Sequence, residues 1–192
     1  MAPRRAASHH PHVTTVRPEQ PDEADALASL HARAWQKGYA GILPADLLAG
    51  IDPGVWAQRR RELLTRTDHP FKSLVAEHEG AVAGFVTFGP YRIGQDMDNL
   101  DPEVGEILAI YVDPDRWRGG VGSVLIRAAF EAIEQPEVRL WVLAENKQAQ
   151  GFYRKHGLRP DGATSLFRPR GTELDFLEVR FSIARGRDHQ QR

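Results

Sequence analysis

The spacing of apolar positions changes several times along the chain, and each change marks an element. Residues 13–17 are a short β-branched run ending at Pro18, the pattern of a first strand. From Asp22 the spacing turns helical: Ala26, Leu27, Leu30 and Ala34 fall on one face, and the helix is expected to reach about Lys37. Gly38, Gly41 and Pro44 break it. Pro53 opens a second helix through Trp56, Leu63 and Leu64. That helix carries Arg59, Arg60, Arg61 and Arg66, which read either as a phosphate site or as a solvated face. Residues 71–77 and 81–88 predict two strands around Glu79-Gly80, a hairpin turn signal. Residues 104–112 form a strongly apolar strand. A glycine-rich turn at 119–122 follows, and Val121, Leu125, Ala128 and Ala132 then mark one face of a helix. Residues 138–143 are apolar on both faces, as a central strand is. Asn146 starts a helix with Ala149, Phe152, Tyr153 and His156 on one side, and Gly157 ends it. Residues 174–183 supply a final strand. The order is that of a mixed α/β domain: two helices after the first strand, a meander, then strand–loop–helix units.

Composition narrows the function. The 192 residues suit one domain, placed here at 13–184. Lys and Arg total 25 against 26 Asp and Glu, a formal net charge of -1, which argues against a dedicated nucleic-acid binder. No Cys is present, which excludes disulfides, thiolate metal sites and a cysteine nucleophile, and fits a reducing cytoplasm. No apolar run approaches the ~20 residues that cross a bilayer. Residues 1–12 carry charge and Pro without apolar pattern, and 185–192 are polar and basic, so both read as tails. His9, His10 and His12 invite only adventitious metal, and no metal site is expected. The acidic stretch 96–103 lacks the central glycine and closing Glu of a calcium loop and reads as a solvated loop bordering an active site.

The chemistry concentrates at Asp113-Pro-Asp-Arg-Trp-Arg-Gly-Gly-Val-Gly-Ser123, between a buried strand and an amphipathic helix. Gly119, Gly120 and Gly122 let backbone amides approach an anion. The first turn of the helix adds free N–H groups and a positive dipole end, with Arg116 and Arg118 beside it. A Walker A loop needs Gly-Lys-Ser/Thr, and this loop has Val121-Gly122-Ser123. A Rossmann fingerprint needs a glycine where Leu125 stands, and the nucleophile elbow is absent around Ser123. What remains is a pyrophosphate loop of another kind, or a tight turn with no ligand.

Glu106-Ile-Leu-Ala-Ile-Tyr-Val112 followed by Trp117-x-x-Gly120-x-Gly122 resembles motif A of the GNAT superfamily of acyl-CoA-dependent N-acetyltransferases. That pattern begins with Gln or Arg where this chain has Trp117; Arg118 is adjacent and could supply the charge. Asn146-x-x-Ala149-x-x-Phe152-Tyr153-x-x-x-Gly157-Leu158 is similar to the family's motif B. The stretch from Ala34 through Trp35 and Tyr39 to Pro44 resembles a subgroup of small bacterial members. The resemblance implies a mostly antiparallel central sheet with helices on both faces and a splayed V between the central strands. It implies acetyl-CoA as cosubstrate, without a metal. The cofactor would lie against Ile110, Tyr111, Val112, Trp117, Arg118, Gly119, Gly120, Val121, Gly122, Ser123, Asn146 and Tyr153. The acceptor would be a small-molecule or protein amine, with neither nucleic acid nor membrane as partner, and the resemblance leaves room for a homodimer.

Acetyl transfer to an amine needs a base, donors for the developing oxyanion, and an acid for the leaving thiolate. The resemblance gives the base to Glu106. Simple alternation puts Glu106, Leu108, Ile110 and Val112 on one face of their strand, where desolvation would favour proton uptake by a carboxylate. The alternative for Glu106 is a strand carboxylate paired with an Arg for structure. The donors would be backbone N–H groups at 110–112, freed by a bulge. The acid would be Tyr153, whose alternative is a core tyrosine beside Phe152. Trp35, Tyr39 and Tyr91 are candidates to receive the acceptor. Two other classes stay open: a non-catalytic CoA-binding module, and a nucleotide-binding protein.

Overall fold

The structure, a computed structural model, describes residues 14–66 and 68–185. The expected tail 1–12, with His9, His10 and His12, lies outside the described residues, as does the second tail apart from Arg185. Arg185 is joined to the domain: its N–H donates to Pro136 O at 2.6 Å.

Among the described residues, seven strands form one sheet: β1 (Thr14–Pro18), β2 (Lys72–His78), β3 (Ala81–Arg92), β4 (Leu100–Val112), β5 (Glu137–Leu143), β6 (Arg159–Phe167) and β7 (Phe176–Ala184). Their order is β1-β2-β3-β4-β5-β7-β6. Every neighbouring pair is antiparallel except β4 with β5, which is parallel. The α-helices of the described residues number five: α1 (Ala24–Gly38), α2 (Ala45–Ala49), α3 (Pro53–Thr65), α4 (Val121–Ala132) and α5 (Lys147–Lys155). The mixed α/β order is as the pattern predicts, and the helices on both sheet faces are as the resemblance implies. On one face α4 and α5 bury Val121, Leu125, Ile126, Ala129 and Tyr153 against Val86, Phe88, Leu140 and Phe181. On the other, Leu27 and Leu30 of α1 pack on Val75 and Phe85. Removing each such large side chain from water stabilises by roughly 1.5–3 kcal/mol.

Two elements escape the sequence pattern. The helix α2 is five residues long, too short for periodicity to register. The strand β6 is an edge strand whose first four residues are exposed, with Pro160, Gly162 and a register shift between Pro160 and Thr164. The acidic stretch 96–103 is only partly loop: it follows a 3-10 turn at Ile93–Gln95, and β4 already begins at Leu100 within it. The four-Arg helix is laced with ion pairs: Arg60 binds Glu19, Arg61 binds Asp25, and Arg66 binds Asp68 just beyond its end.

Two irregularities of β4 position the site. First, β3 pairs Phe88 with Ile107 and Thr87 with Ala109, so Leu108 is a surplus residue, a β-bulge. The bulge inverts the alternation. Ile107, Ile110 and Val112 pack toward α4, whereas Ala109 and Tyr111 join the α1 side. Glu106, next to Ile107 and before the bulge, therefore shares its face with Ala109 and Tyr111. The expected row of Glu106, Leu108, Ile110 and Val112 does not exist, because one extra residue flips every later side chain. Second, β4 and β5 pair only at Gly105–Val138 and Glu106–Arg139. Beyond that they diverge, and the part of β4 after Glu106 turns alternate N–H and C=O groups into the opening instead of onto β5. This is the splayed V.

Candidate active site

The opening leads into a cavity of about 890 Å³, lined from both sides of the sheet. At one end lie Arg116, Trp117, Arg118, Gly120, Val121, Gly122, Ser123, Asn146 and Phe152. At the other lie His31, Trp35, Tyr39, Arg92, Gln95, Glu106, Trp141, Phe167 and Glu178. Ile110, Tyr111, Val112 and Tyr153 also line it.

The glycine turn leads into α4 at Gly120 with no side chain capping the first amides of the helix. Trp117 Nε1 donates to Val112 O at 2.9 Å, tying the loop to the end of β4. Lys37 sits 5.4 Å from the centre of the Trp117 ring, so the tryptophan that replaces the usual polar residue props the loop against the end of α1. Arg118 and Gly120 both adopt positive φ, 67° and 87°. These left-handed residues curl the chain so that the first-turn amides of α4 face outward without intrahelical acceptors. A side chain at Gly122 would press on the Phe152 ring, since a Cβ there would lie 3.3 Å from it, so glycine is what lets α4 approach α5. Gly119 shapes the turn, donating its N–H to Arg116 O at 3.2 Å, but is not on the cavity wall. Ser123 Oγ lies 3.1 Å from His156 Nε2, a pairing the sequence did not suggest.

Asn146 caps α5, its Oδ1 accepting from the Ala149 N–H at 3.0 Å, and it still reaches the cavity. Tyr153 is nearly buried, with ring centres 5.5 Å from Phe152 and 6.2 Å from Phe181. Burial, and to a lesser degree nearby Tyr111, pushes its hydroxyl well above the usual phenol range, so it stays protonated at any ordinary pH.

Glu106 reaches the cavity wall, but Arg92 occupies both its oxygens. The Arg92 N–H and Nε donate to Oε2 at 2.8 and 3.1 Å, and Nη2 donates to Oε1 at 2.7 Å. With 1% of its surface exposed, the carboxylate is the buried half of an ion pair, the structural alternative for this residue. A second carboxylate, Glu178 on β7, opens onto the same cavity, with Gln95 Nε2 donating to it at 2.8 Å. The sequence offers no warning of Glu178, Gln95 or Arg92, because only the pairing of distant strands brings them together.

Of the three aromatics expected at the acceptor end, Trp35 and Tyr39 line the cavity, with ring centres 4.9 Å apart. Tyr91 does not. It is buried elsewhere on the sheet, its hydroxyl accepting from Arg180 Nη1 at 2.9 Å and its ring 4.9 Å from the Arg139 guanidinium. The bulge after Pro90 re-aims that end of β3. Among the described residues no group of three or more His, Cys, Asp or Glu is gathered to hold a metal, and no helix is long and apolar enough to cross a membrane.

Residues 29–158 match the sequence model of the acetyltransferase (GNAT) family. A probable N-acetyltransferase of Mycobacterium tuberculosis is 28% identical over 155 residues, covering 80% of this chain and 84% of the relative. An uncharacterized N-acetyltransferase of Bacillus subtilis is 28% identical over 142 residues, covering 70% and 74%. Among solved structures, a PaiA N-acetyltransferase from Thermoplasma acidophilum in complex with coenzyme A superposes with a TM-score of 0.70 at 17% identity, covering 90% of this chain and 99% of that one.

Proposed function

The chain belongs to the GNAT family of acetyltransferases, and from that premise we propose that it transfers an acetyl group from acetyl-CoA to a primary amine. The observation that carries the reading is one continuous cavity joining the amide cradle at the start of α4, the unpaired edge of β4 and a carboxylate-bearing aromatic end. Acetyl-CoA would supply the activated acetyl thioester. Its pyrophosphate fits the cradle of Arg118, Gly120, Val121, Gly122 and Ser123, where glycine at positive φ and the dipole end of α4 favour an anion. The complex of the Thermoplasma neighbour with coenzyme A supports the same ligand here.

The residues then divide the work. The N–H groups of β4 from Ile110 to Val112 that turn into the V can hold the thioester carbonyl and donate to its oxygen as charge develops there. Asn146 and Trp117 border the arm that leads from the cradle to the V. Tyr153, kept neutral by burial, donates its proton to the departing sulfur. Trp35 and Tyr39 wall the acceptor end. The Arg92–Glu106 pair fixes the floor of that end. The test is release of free thiol from acetyl-CoA that depends on added amine. A protein that binds CoA but releases no thiol with any amine of a broad panel would instead be a non-catalytic CoA-binding module.

A further inference from the structure

We propose that Glu178 is the residue that receives the acceptor's ammonium group and takes its proton, and that the acceptor is a primary amine on an apolar, flat body without a carboxylate beside the amine. This rests on the acetyl-transfer reading.

Two carboxylates face the acceptor end, and they are not equivalent. Glu106 is fully engaged by three donors from Arg92. Glu178 is also buried, at 8% exposure, but Gln95 Nε2 is the one donor that reaches it among the described residues. Gln95 is itself held by Ser165 Oγ at 3.0 Å, so the amide is fixed and the carboxylate behind it is aimed. The groups that act electrostatically with Glu178 are Arg92 from β3, Glu106 and Tyr111 from β4, and Tyr39 from the end of α1, while Arg180, two residues on along β7, is paired with Asp161. Arg92 and Glu106 cancel, and the two phenols are held neutral by burial. One negative charge is left over at this end. Burial pushes the Glu178 carboxyl up from its ordinary range, and the Glu106 charge adds to this, while Gln95 and Arg92 oppose it. A base that must hold a proton from an ammonium needs such an upward shift.

The other cations on the wall, Arg116, Arg118 and Lys155, belong to the cradle end. An acceptor with a carboxylate beside its amine would bring a second anion to Glu178 with no free cation to meet it. Trp35, Trp141 and Phe167 instead offer flat ring surface, the two indole N–H groups being buried without an acceptor. A buried unpaired charge there is costly enough to discriminate between the two kinds of acceptor.

The step balances. Glu178 takes one proton from the ammonium, exposing the nitrogen lone pair. The N–C bond forms and the C–S bond breaks. The sulfur receives the Tyr153 proton, and the second proton lost by the nitrogen restores that phenol. Glu178 returns its proton to solvent.

The test uses 2-phenylethylamine and phenylalanine as probes, with binding followed by calorimetry on the whole protein. Phenylethylamine is expected to bind at least tenfold tighter than phenylalanine, and Glu178→Gln to erase most of that preference. Glu178→Asp, which keeps the charge, should retain part of it and guards against a folding defect in the first variant. With wild type, kcat/KM for phenylethylamine should fall on acidification through a limb that Glu178→Gln lacks. Equal binding of the two probes, no binding of phenylethylamine, or an unchanged preference in Glu178→Gln overturns the assignment. Stabilisation of the same protein by coenzyme A is read separately. If it is absent the acetyl-transfer reading fails, whatever the probes do.

Discussion

Arg92 and Glu106 meet across adjacent strands through three hydrogen bonds of 2.7 to 3.1 Å, one of them from the Arg92 backbone. The pair is buried on the Glu106 side and 17% exposed on the Arg92 side chain. Removing one partner of such a pair leaves the other charged and poorly solvated. Glu106→Gln is therefore expected to lower stability by about 3 kcal/mol, and Arg92→Met by a similar amount. The double variant should recover part of the loss, with a coupling of at least about 1 kcal/mol. Denaturant melts of the four proteins check this. Additive losses would show that the pair is not coupled.

Tyr153→Phe keeps the ring between Phe152 and Phe181 and removes only the hydroxyl. Turnover should fall about 10- to 1000-fold while coenzyme A binding is unchanged. Because the phenol is neutral throughout the accessible range, raised pH should not restore the rate. Rate–pH profiles of both proteins measure it. A fully active variant would make Tyr153 only a wall of the groove.

Gly120 has φ of 87° at the entrance to α4. Gly120→Asp adds both backbone strain and a negative charge at the cradle. Coenzyme A at one hundred times its dissociation constant should stabilise the wild type by about 2.7 kcal/mol, a shift of several degrees in Tm. The variant should show none of that shift.

His31 packs between Trp56, Tyr111 and Phe85, and burial pushes its pKa down to about 3, with Arg60 adding to the effect. The unfolded chain binds a proton at His31 below about pH 6.5 and the folded chain does not until about pH 3. Stability from this residue is thus complete above pH 6.5 and is lost as pH falls toward 3, on the order of 4 kcal/mol in full. His156, also lowered by burial, acts with the same sign. His31→Phe keeps the ring contacts and should flatten the acid limb of the stability curve. Melts between pH 4 and 7 decide it, and an unchanged slope would place the acid sensitivity elsewhere.

Much of this molecule is legible in the chain itself, for physical reasons that also mark the limits. Elements with a repeated apolar period, such as Leu27 and Leu30 on α1 or Leu125 and Ala129 on α4, follow from spacing. The glycine turn follows because a tight strand-to-helix turn with positive φ favours glycine at fixed offsets. Leu108 is the counter-example. One surplus residue in β4 leaves no mark in composition, yet it reverses the facing of everything after it and moves Glu106 to the face of Tyr111. Tyr91 fails for the same reason, re-aimed by the register shift beside it. The strand β6 hides because an exposed edge carries no apolar alternation. Arg92, Gln95 and Glu178 sit on elements far apart in sequence, and only the closed sheet brings them to one cavity.

The most direct measurement is release of free thiol from acetyl-CoA by the purified protein, followed with and without a panel of primary amines, with the acetylated product identified by mass. Thiol release that requires amine, with one acetyl group of about 42 Da added to the amine nitrogen for each thiol, is the predicted result. Thiol release at the same rate without amine, or none with any amine while coenzyme A still stabilises the fold, would contradict acetyl transfer to an amine.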